Sequence, residues 1–180
     1  MPLDPSEKQW FAMRDLSRRN ANVMAHDTLR NEGLEVFTPL TQLLITIHGR
    51  KQRRLVPVIQ DLLFVHESKQ RLDPFVARYA NLQYRYCLGK TVDEPATVRE
   101  ADMQRFIRAV GSTDTPRYFI PGELTASMYG RRVRIIGGPL DNFEGHLLSV
   151  RGMRTRRIIV EIPGLISSAV EVKPEFIQFI

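Results

Sequence analysis

The feature that most constrains the fold is a change of hydrophobic periodicity near residue 111. Before it, segments with helical spacing alternate with strand-like runs, whereas the segment after residue 128 contains only short strand-like runs separated by glycine and proline. Such a change separates two structural units. We therefore predict an α+β sheet domain over 1–111, a linker over 112–127 and an all-β barrel over 128–180.

Local signals divide the first domain into helices and strands. Ser17 is a candidate helix cap, Asp73-Pro74 a candidate helix start, and Thr97 with Glu100 forms a capping box before a helix that ends at Gly111. Strands are predicted over 9–15, 36–46, 53–58, 62–65 and 82–86, with a hairpin tip at 48–51. These elements together predict an α+β domain in which helices flank a sheet.

Four short strands are predicted in the C-terminal part, over 133–136, 147–150, 158–162 and 169–173. Glycine and proline mark the turns between them. A flat sheet of this size buries too little apolar surface, so a small barrel is expected.

The chain carries 26 basic and 20 acidic residues, a net charge of +6, which favours a polyanionic partner such as nucleic acid. Each basic block is either a solvated surface or a nucleic-acid contact. The blocks are Arg18 with Arg19; Arg50, Lys51, Arg53 and Arg54; and Arg151, Arg154, Arg156 and Arg157.

The sequence contains no recognisable catalytic pattern. Its four histidines lack metal-ligand spacing, and neither a phosphate-binding glycine loop nor a nucleophile elbow is present. We expect no enzyme activity, no metal and no cofactor; a nuclease with carboxylates that converge in space is the alternative. A single cysteine and the lack of a spanning apolar run predict a cytoplasmic protein without a membrane partner.

Residues 130–145, Gly-Arg-Arg-Val-Arg-Ile-Ile-Gly-Gly-Pro-Leu-Asp-Asn-Phe-Glu-Gly, resemble the KOW motif. An α+β domain with Trp10 in its first strand, a long hairpin, an apolar run and then this motif resembles the NusG family of transcription elongation factors. The resemblance implies an N-terminal NGN-type antiparallel sheet with flanking helices and a C-terminal SH3-like KOW barrel. It also implies binding to the clamp region of RNA polymerase, suppression of pausing, and recruitment of a ribosomal protein or Rho by the barrel.

Residues 58–65 lack the Gly-Tyr pair of the housekeeping members. This segment and Tyr84-Arg85-Tyr86 resemble the UpxY-type antiterminators of capsular-polysaccharide operons. The resemblance therefore implies a specialised antitermination and elongation factor. The alternatives are a general NusG factor, a ribosome-associated RNA-binding protein and an unidentified hydrolase.

The resemblance also assigns candidate contacts with polymerase, namely Trp10, Leu62, Phe64 and Tyr84. From the residues alone, the run at 62–64 is either core or an exposed patch: if Leu63 and Val65 face inward, strand alternation leaves Leu62 and Phe64 facing outward.

Candidate nucleic-acid contacts lie on a predicted helix and on the hairpin. On the helix, the resemblance to specialised paralogs implies contact with the non-template DNA strand of the transcription bubble by Arg18, Arg19, Asn22, His26 and Arg30. On the hairpin, the candidates for contact with upstream DNA or the opposite lobe of polymerase are Arg50, Lys51, Arg53 and Arg54. Phe143 is either barrel core or an exposed aromatic ring that binds the partner of the KOW domain.

Overall fold

The computed structural model describes residues 4–18, 21, 23–86 and 94–180. The chain forms two compact units, residues 1–99 and 100–180.

The first unit is built on an antiparallel sheet of five strands in the order β2-β5-β1-β6, with β7 also paired to β1. A separate two-stranded sheet is formed by β3 and β4. The elements are β1 (Lys8–Asp15), α1 (Ala25–Asn31), β2 (Glu35–Phe37), β3 (Leu40–Ile47), β4 (Arg50–Pro57), β5 (Leu63–Ser68), α2 (Lys69–Arg78), β6 (Leu82–Tyr84) and β7 (Thr97–Val98).

Strand alternation gives the main sheet two apolar faces. Phe11 and Leu63 belong to a core cluster with Leu29 of α1 and Leu72 of α2. Trp10 and Phe64, one residue away along their strands, face the opposite side and are equally buried. The two central strands are therefore buried on both faces.

The helix starts differ from the predicted ones. The helix expected at Ser17 is wrong: α1 begins at Ala25, because the buried Asp15 carboxylate accepts hydrogen bonds from the amides of Ser17 (2.9 Å) and Ala25 (3.0 Å). The start expected at Asp73-Pro74 is also wrong. There α2 begins at Lys69, capped by the Ser68 hydroxyl, and Pro74 lies inside the helix.

The predicted hairpin is confirmed. Strands β3 and β4 pair residue by residue from Ile47↔Arg50 to Leu40↔Pro57. Residues His48 and Gly49 form the turn with φ of 48° and 75°, and turns with positive φ match the twist of antiparallel strands. Pro39 separates β2 from β3 instead of lying within one strand.

The second unit combines a helix with an antiparallel sheet in the order β13-β9-β10-β11-β12-β8. Helix α3 matches the predicted helix in its apolar stripe and in its end at Gly111, whereas Thr97, which was expected to cap it, lies in strand β7. The α+β class is confirmed. The elements are α3 (Glu100–Gly111), β8 (Arg117–Phe119), β9 (Tyr129–Ile135), β10 (Glu144–Leu148), β11 (Arg157–Ile162), β12 (Ile166–Glu171) and β13 (Ile177–Phe179).

The all-β part consists of two groups of three paired strands, β13-β9-β10 and β11-β12-β8, which are joined by the pair Leu147↔Ile158. Within the described part of the chain, no pairing joins β8 to β13, so hydrogen bonds do not close the sheet into a barrel. Strand β8 lies in the segment expected as linker and pairs with β12. A Cβ atom on Gly145 would lie 3.1 Å from the Ile159 carbonyl oxygen, which accounts for glycine at this position.

No helix among the described residues is long and apolar enough to cross a membrane.

Candidate functional site

The β3–β4 hairpin presents alternating aliphatic and cationic side chains on both of its faces. Cross-strand partners share a face, and the register places Leu44 opposite Arg53 and Leu43 opposite Arg54. Leu44 is 61% exposed and Leu55, on the same face, is 64% exposed. The hairpin therefore offers apolar area that it does not use for its own packing.

The positive charge of the hairpin is not neutralised locally. Its four cationic side chains are exposed and form no ion pair with any residue that the structure describes; they are Arg50, Lys51, Arg53 and Arg54. The sequence contains no acidic residue between Glu35 and Asp61. Exposed cations without carboxylate partners are available to phosphates.

A second charged cluster lies at the end of β1. Asp61 accepts hydrogen bonds from Arg85 Nη2 (2.9 Å) and Arg14 Nε (3.4 Å). Arg18, beyond the end of β1, is exposed. This cluster could not be predicted from the sequence, because its members are far apart in the chain and only the pairing of β1 with β5 and β6 brings them together.

The predicted exposure of the four candidate polymerase contacts is wrong. Trp10 is 1% exposed, Leu62 2%, Phe64 0% and Tyr84 7%. Strand alternation places Leu63 and Phe64 on opposite faces of the sheet, but both side chains are fully buried, so neither face of β5 is left exposed there.

Two of the three aromatic residues of that set have a defined ring or hydroxyl contact. Trp10 stacks on His66 with 4.9 Å between the ring centroids, and the two rings come from paired positions of β1 and β5. Tyr84 donates a hydrogen bond from its hydroxyl to Asp73 (2.9 Å), and its burial and this acceptor raise the pKa of the phenol. Tyr84 also belongs to the core cluster around Phe11 and Leu63.

The predicted basic helix face is not formed. Arg18 is exposed but precedes α1, Arg30 is exposed near the end of α1, and His26 is buried. Burial lowers the pKa of His26, opposed by the nearby Asp27 carboxylate 3.4 Å away. Arg19 and Asn22 lie outside the described residues.

Phe143 is 6% exposed, so it is core and not an exposed aromatic ring. The guanidinium groups of Arg105 and Arg108, both on α3, lie 5.1 Å and 5.2 Å from the ring centroid. Arg105 also donates to the Glu144 carbonyl, and Arg108 donates to the Pro139 carbonyl (2.8 Å). A partner that contacts this ring must first displace both arginines.

The sequence matches the family model of the transcription termination factor NusG over residues 8–107, more than half of the chain. The protein belongs to the NusG family. NusG proteins are non-enzymatic transcription factors that bind RNA polymerase, in agreement with the expectation of no enzyme activity.

A comparison with curated proteins found no significant match. Among solved structures, the chain is similar to NusG of Thermotoga maritima, from work on domain interaction in that protein. The two share 18% identity at a TM-score of 0.49, over 98% of this chain and 99% of the other.

Proposed function

We propose that this NusG-family protein is a specialised antitermination and elongation factor that binds RNA polymerase and DNA through the β3–β4 hairpin. The observation that supports this most directly is the combination of exposed leucines and unpaired cations on one two-stranded ribbon. Apolar anchors supply affinity for a protein surface, and the cations supply affinity for phosphates.

Under this proposal the hairpin contacts polymerase, and the four candidate residues of the main sheet do not. Trp10, Leu62, Phe64 and Tyr84 are buried in the chain, so they support the shape of the first unit. Leu44 and Leu55 offer more exposed apolar area than any of those four side chains. Binding by the hairpin needs no rearrangement of the core.

Operon specificity is proposed on two grounds. The segment 58–65 resembles UpxY-type antiterminators, and exposed arginines surround the end of β1. Arginine can donate two hydrogen bonds to the edge of a guanine, so Arg18 and Arg14 are candidates for reading DNA sequence. The proposed targets are polysaccharide operons, with the non-template strand as the DNA that is read.

Polymerase binding is tested by replacing Leu44 with serine. We expect affinity for core polymerase to fall about tenfold or more, as for an exposed anchor that becomes buried on binding. The matched control is Val23→Ser, another exposed aliphatic residue, at 54% exposure, which should bind as the wild type does. Equal affinity of Leu44→Ser and the wild type would contradict hairpin binding.

Specificity is tested by single-round transcription through a terminator placed behind a polysaccharide-operon leader or an unrelated leader. We expect greater read-through behind the operon leader. Arg18→Ala should narrow the difference between templates, whereas Arg53→Gln should lower read-through on both. Arg78→Gln on α2 is the charge-matched control. Equal read-through on both templates, or increased termination with Rho, would instead support a general factor.

A further inference from the structure

Three side chains that can recognise DNA bases share one face of the main sheet in the first unit. Arg14 of β1 is paired with Gln83 of β6, and cross-strand partners lie on the same face. Arg85 follows Gln83 by two residues, and its amide still donates to the Ala12 carbonyl of β1 (3.1 Å), so strand alternation places it on that face as well. Arg14 and Gln83 are exposed, and Arg85 is half-buried.

A single carboxylate, that of Asp61, binds both arginines. Its Oδ1 accepts a hydrogen bond from Arg85 Nη2 (2.9 Å), and its Oδ2 accepts one from Arg14 Nε (3.4 Å). Arg85 Nη2 also donates to the Asp61 carbonyl (3.1 Å), which accepts a further bond from the Asp15 amide (3.3 Å). The backbone and the side chain of Asp61 therefore both contribute to the position of the guanidinium groups.

The bonds to Asp61 leave hydrogen-bond donors for a ligand. Arg14 bonds to Asp61 through Nε, and neither of its Nη atoms has a hydrogen-bond partner among the residues that the structure describes. A guanidinium group held in this way can still donate two parallel bonds, which match O6 and N7 of guanine. The amide of Gln83 matches N6 and N7 of adenine in the same manner.

The composition of this face favours the recognition of bases over the binding of phosphates alone. Gln83 carries no charge, and the Asp61 carboxylate offsets one of the two guanidinium charges. A site for phosphates alone would be weakened by that carboxylate. Base recognition gains from it, because contacts to base edges specify a sequence only when the donors are held in a defined orientation, and side chains held in advance lose less freedom on binding.

We propose that Asp61 is a positioning residue that determines the DNA specificity of this protein. Its carboxylate orients Arg14 and Arg85 for contact with guanine, and its negative charge lowers the affinity for DNA that lacks the matching bases. This role rests on the proposed function, in which Arg14 reads the non-template strand. Asp61 is then the residue that makes a cationic surface selective, although it does not itself contact the DNA.

The test compares three fluorescein-labelled, single-stranded DNAs of about 12 nucleotides, bound to the full chain and followed by anisotropy at several KCl concentrations. One strand has separated guanines among thymines, the second has 7-deazaguanine in their place, and the third is all thymine. The wild type should bind the guanine strand about tenfold more tightly than the 7-deazaguanine strand, which lacks only the N7 acceptors. Asp61→Asn should reduce this ratio to about threefold or less. It should also bind the all-thymine strand about threefold more tightly, with a log–log salt slope larger by up to about 0.7, because a repelling charge is removed.

The matched control is Asp114→Asn, which makes the same chemical change at an exposed aspartate outside the cluster and should bind all three strands as the wild type does. Arg14→Lys should lose the guanine preference without the gain on thymine, because lysine keeps the charge but cannot donate two bonds in one plane. Far-UV circular dichroism and the unfolding midpoint of all three variants should match the wild type, since the three side chains are exposed. A merely structural role for Asp61 would instead weaken binding to every strand.

Three results would overturn the role of Asp61: no preference of the wild type for guanine over 7-deazaguanine, an unchanged preference in Asp61→Asn, or a loss of polymerase affinity in Asp61→Asn with unchanged DNA binding. The last result would assign the two arginines to a protein partner. The DNA assay contains no polymerase and no operon leader. If it fails while Leu44→Ser still loses polymerase affinity, only the role of Asp61 is rejected. If the guanine preference is found but read-through is equal behind both leaders, only the proposed operon specificity is rejected.

Discussion

Replacement of Leu62 by alanine should destabilise the first unit, whereas the same replacement at Leu44 should not. The two leucines differ in burial, at 2% and 61% exposure, and they receive the same chemical change. Truncation of a buried leucine costs about 2–5 kcal/mol, because transfer free energy is lost and a cavity is left. An exposed leucine away from the core changes the free energy of unfolding by about 0.5 kcal/mol or less.

The expected difference is large enough to measure by urea unfolding. With an m-value of about 1.5 kcal/mol/M, a loss of about 3 kcal/mol lowers the midpoint for Leu62→Ala by about 2 M. Trp10 is the only tryptophan of the chain, is 1% exposed and stacks on His66, so its fluorescence reports unfolding of the first unit.

A wild-type midpoint for Leu62→Ala would refute this reasoning. If that variant also lost polymerase affinity, Leu62 would be a surface anchor, as the family resemblance implied. The opposite pattern, with a normal midpoint and lost polymerase binding only for Leu44→Ala, would support the hairpin as the binding surface.

Further predictions concern protonation, close packing and charge. Burial lowers the pKa of His26 below its ordinary value of 6.5, so the imidazole is protonated more readily in the unfolded chain than in the folded protein. The free energy of unfolding should therefore fall as the pH drops below about 6.5 towards the pKa of the folded state. His26→Gln should remove this part of the pH dependence in thermal melts. Gly130→Ala would place a Cβ atom 2.8 Å from the Leu147 carbonyl oxygen, so the unfolding midpoint of the second unit should fall by an amount equivalent to about 1–3 kcal/mol. An unchanged midpoint would show that β9 and β10 can move apart to accept the methyl group at no cost in stability. Removing Arg53 should reduce the log–log salt slope of duplex DNA binding by about 0.9, and an unchanged slope would show that this side chain is only solvated.

Several elements were predictable because their signals are local. The stripe of apolar residues along α3 and its stop at Gly111 depend only on helical spacing. The hairpin turn at His48 and Gly49 depends on two residues that adopt positive φ. Local backbone preferences of this kind do not depend on what packs against them.

The start of α1 was not predictable in the same way. The amide of Ala25 is bound by the carboxylate of Asp15, ten residues earlier and inside the structure. A polar side chain at Ser17 looked like a better cap by sequence, but its hydroxyl accepts a hydrogen bond from Asn81 (2.7 Å) instead. Long-range hydrogen bonds override local capping preferences when the partners are buried.

By itself, the sequence determined that strands would alternate and that Leu63 and Leu62 would face opposite sides. Only the tertiary structure decided that both sides are buried, because burial of a sheet face depends on other parts of the chain that pack onto it. Tertiary structure likewise decides which charged side chains are exposed. Composition places positive blocks in the chain, but strand pairing decides that Arg157 donates to backbone carbonyls while Arg154 is exposed. Periodicity is a property of one segment, whereas exposure depends on every segment that packs against it.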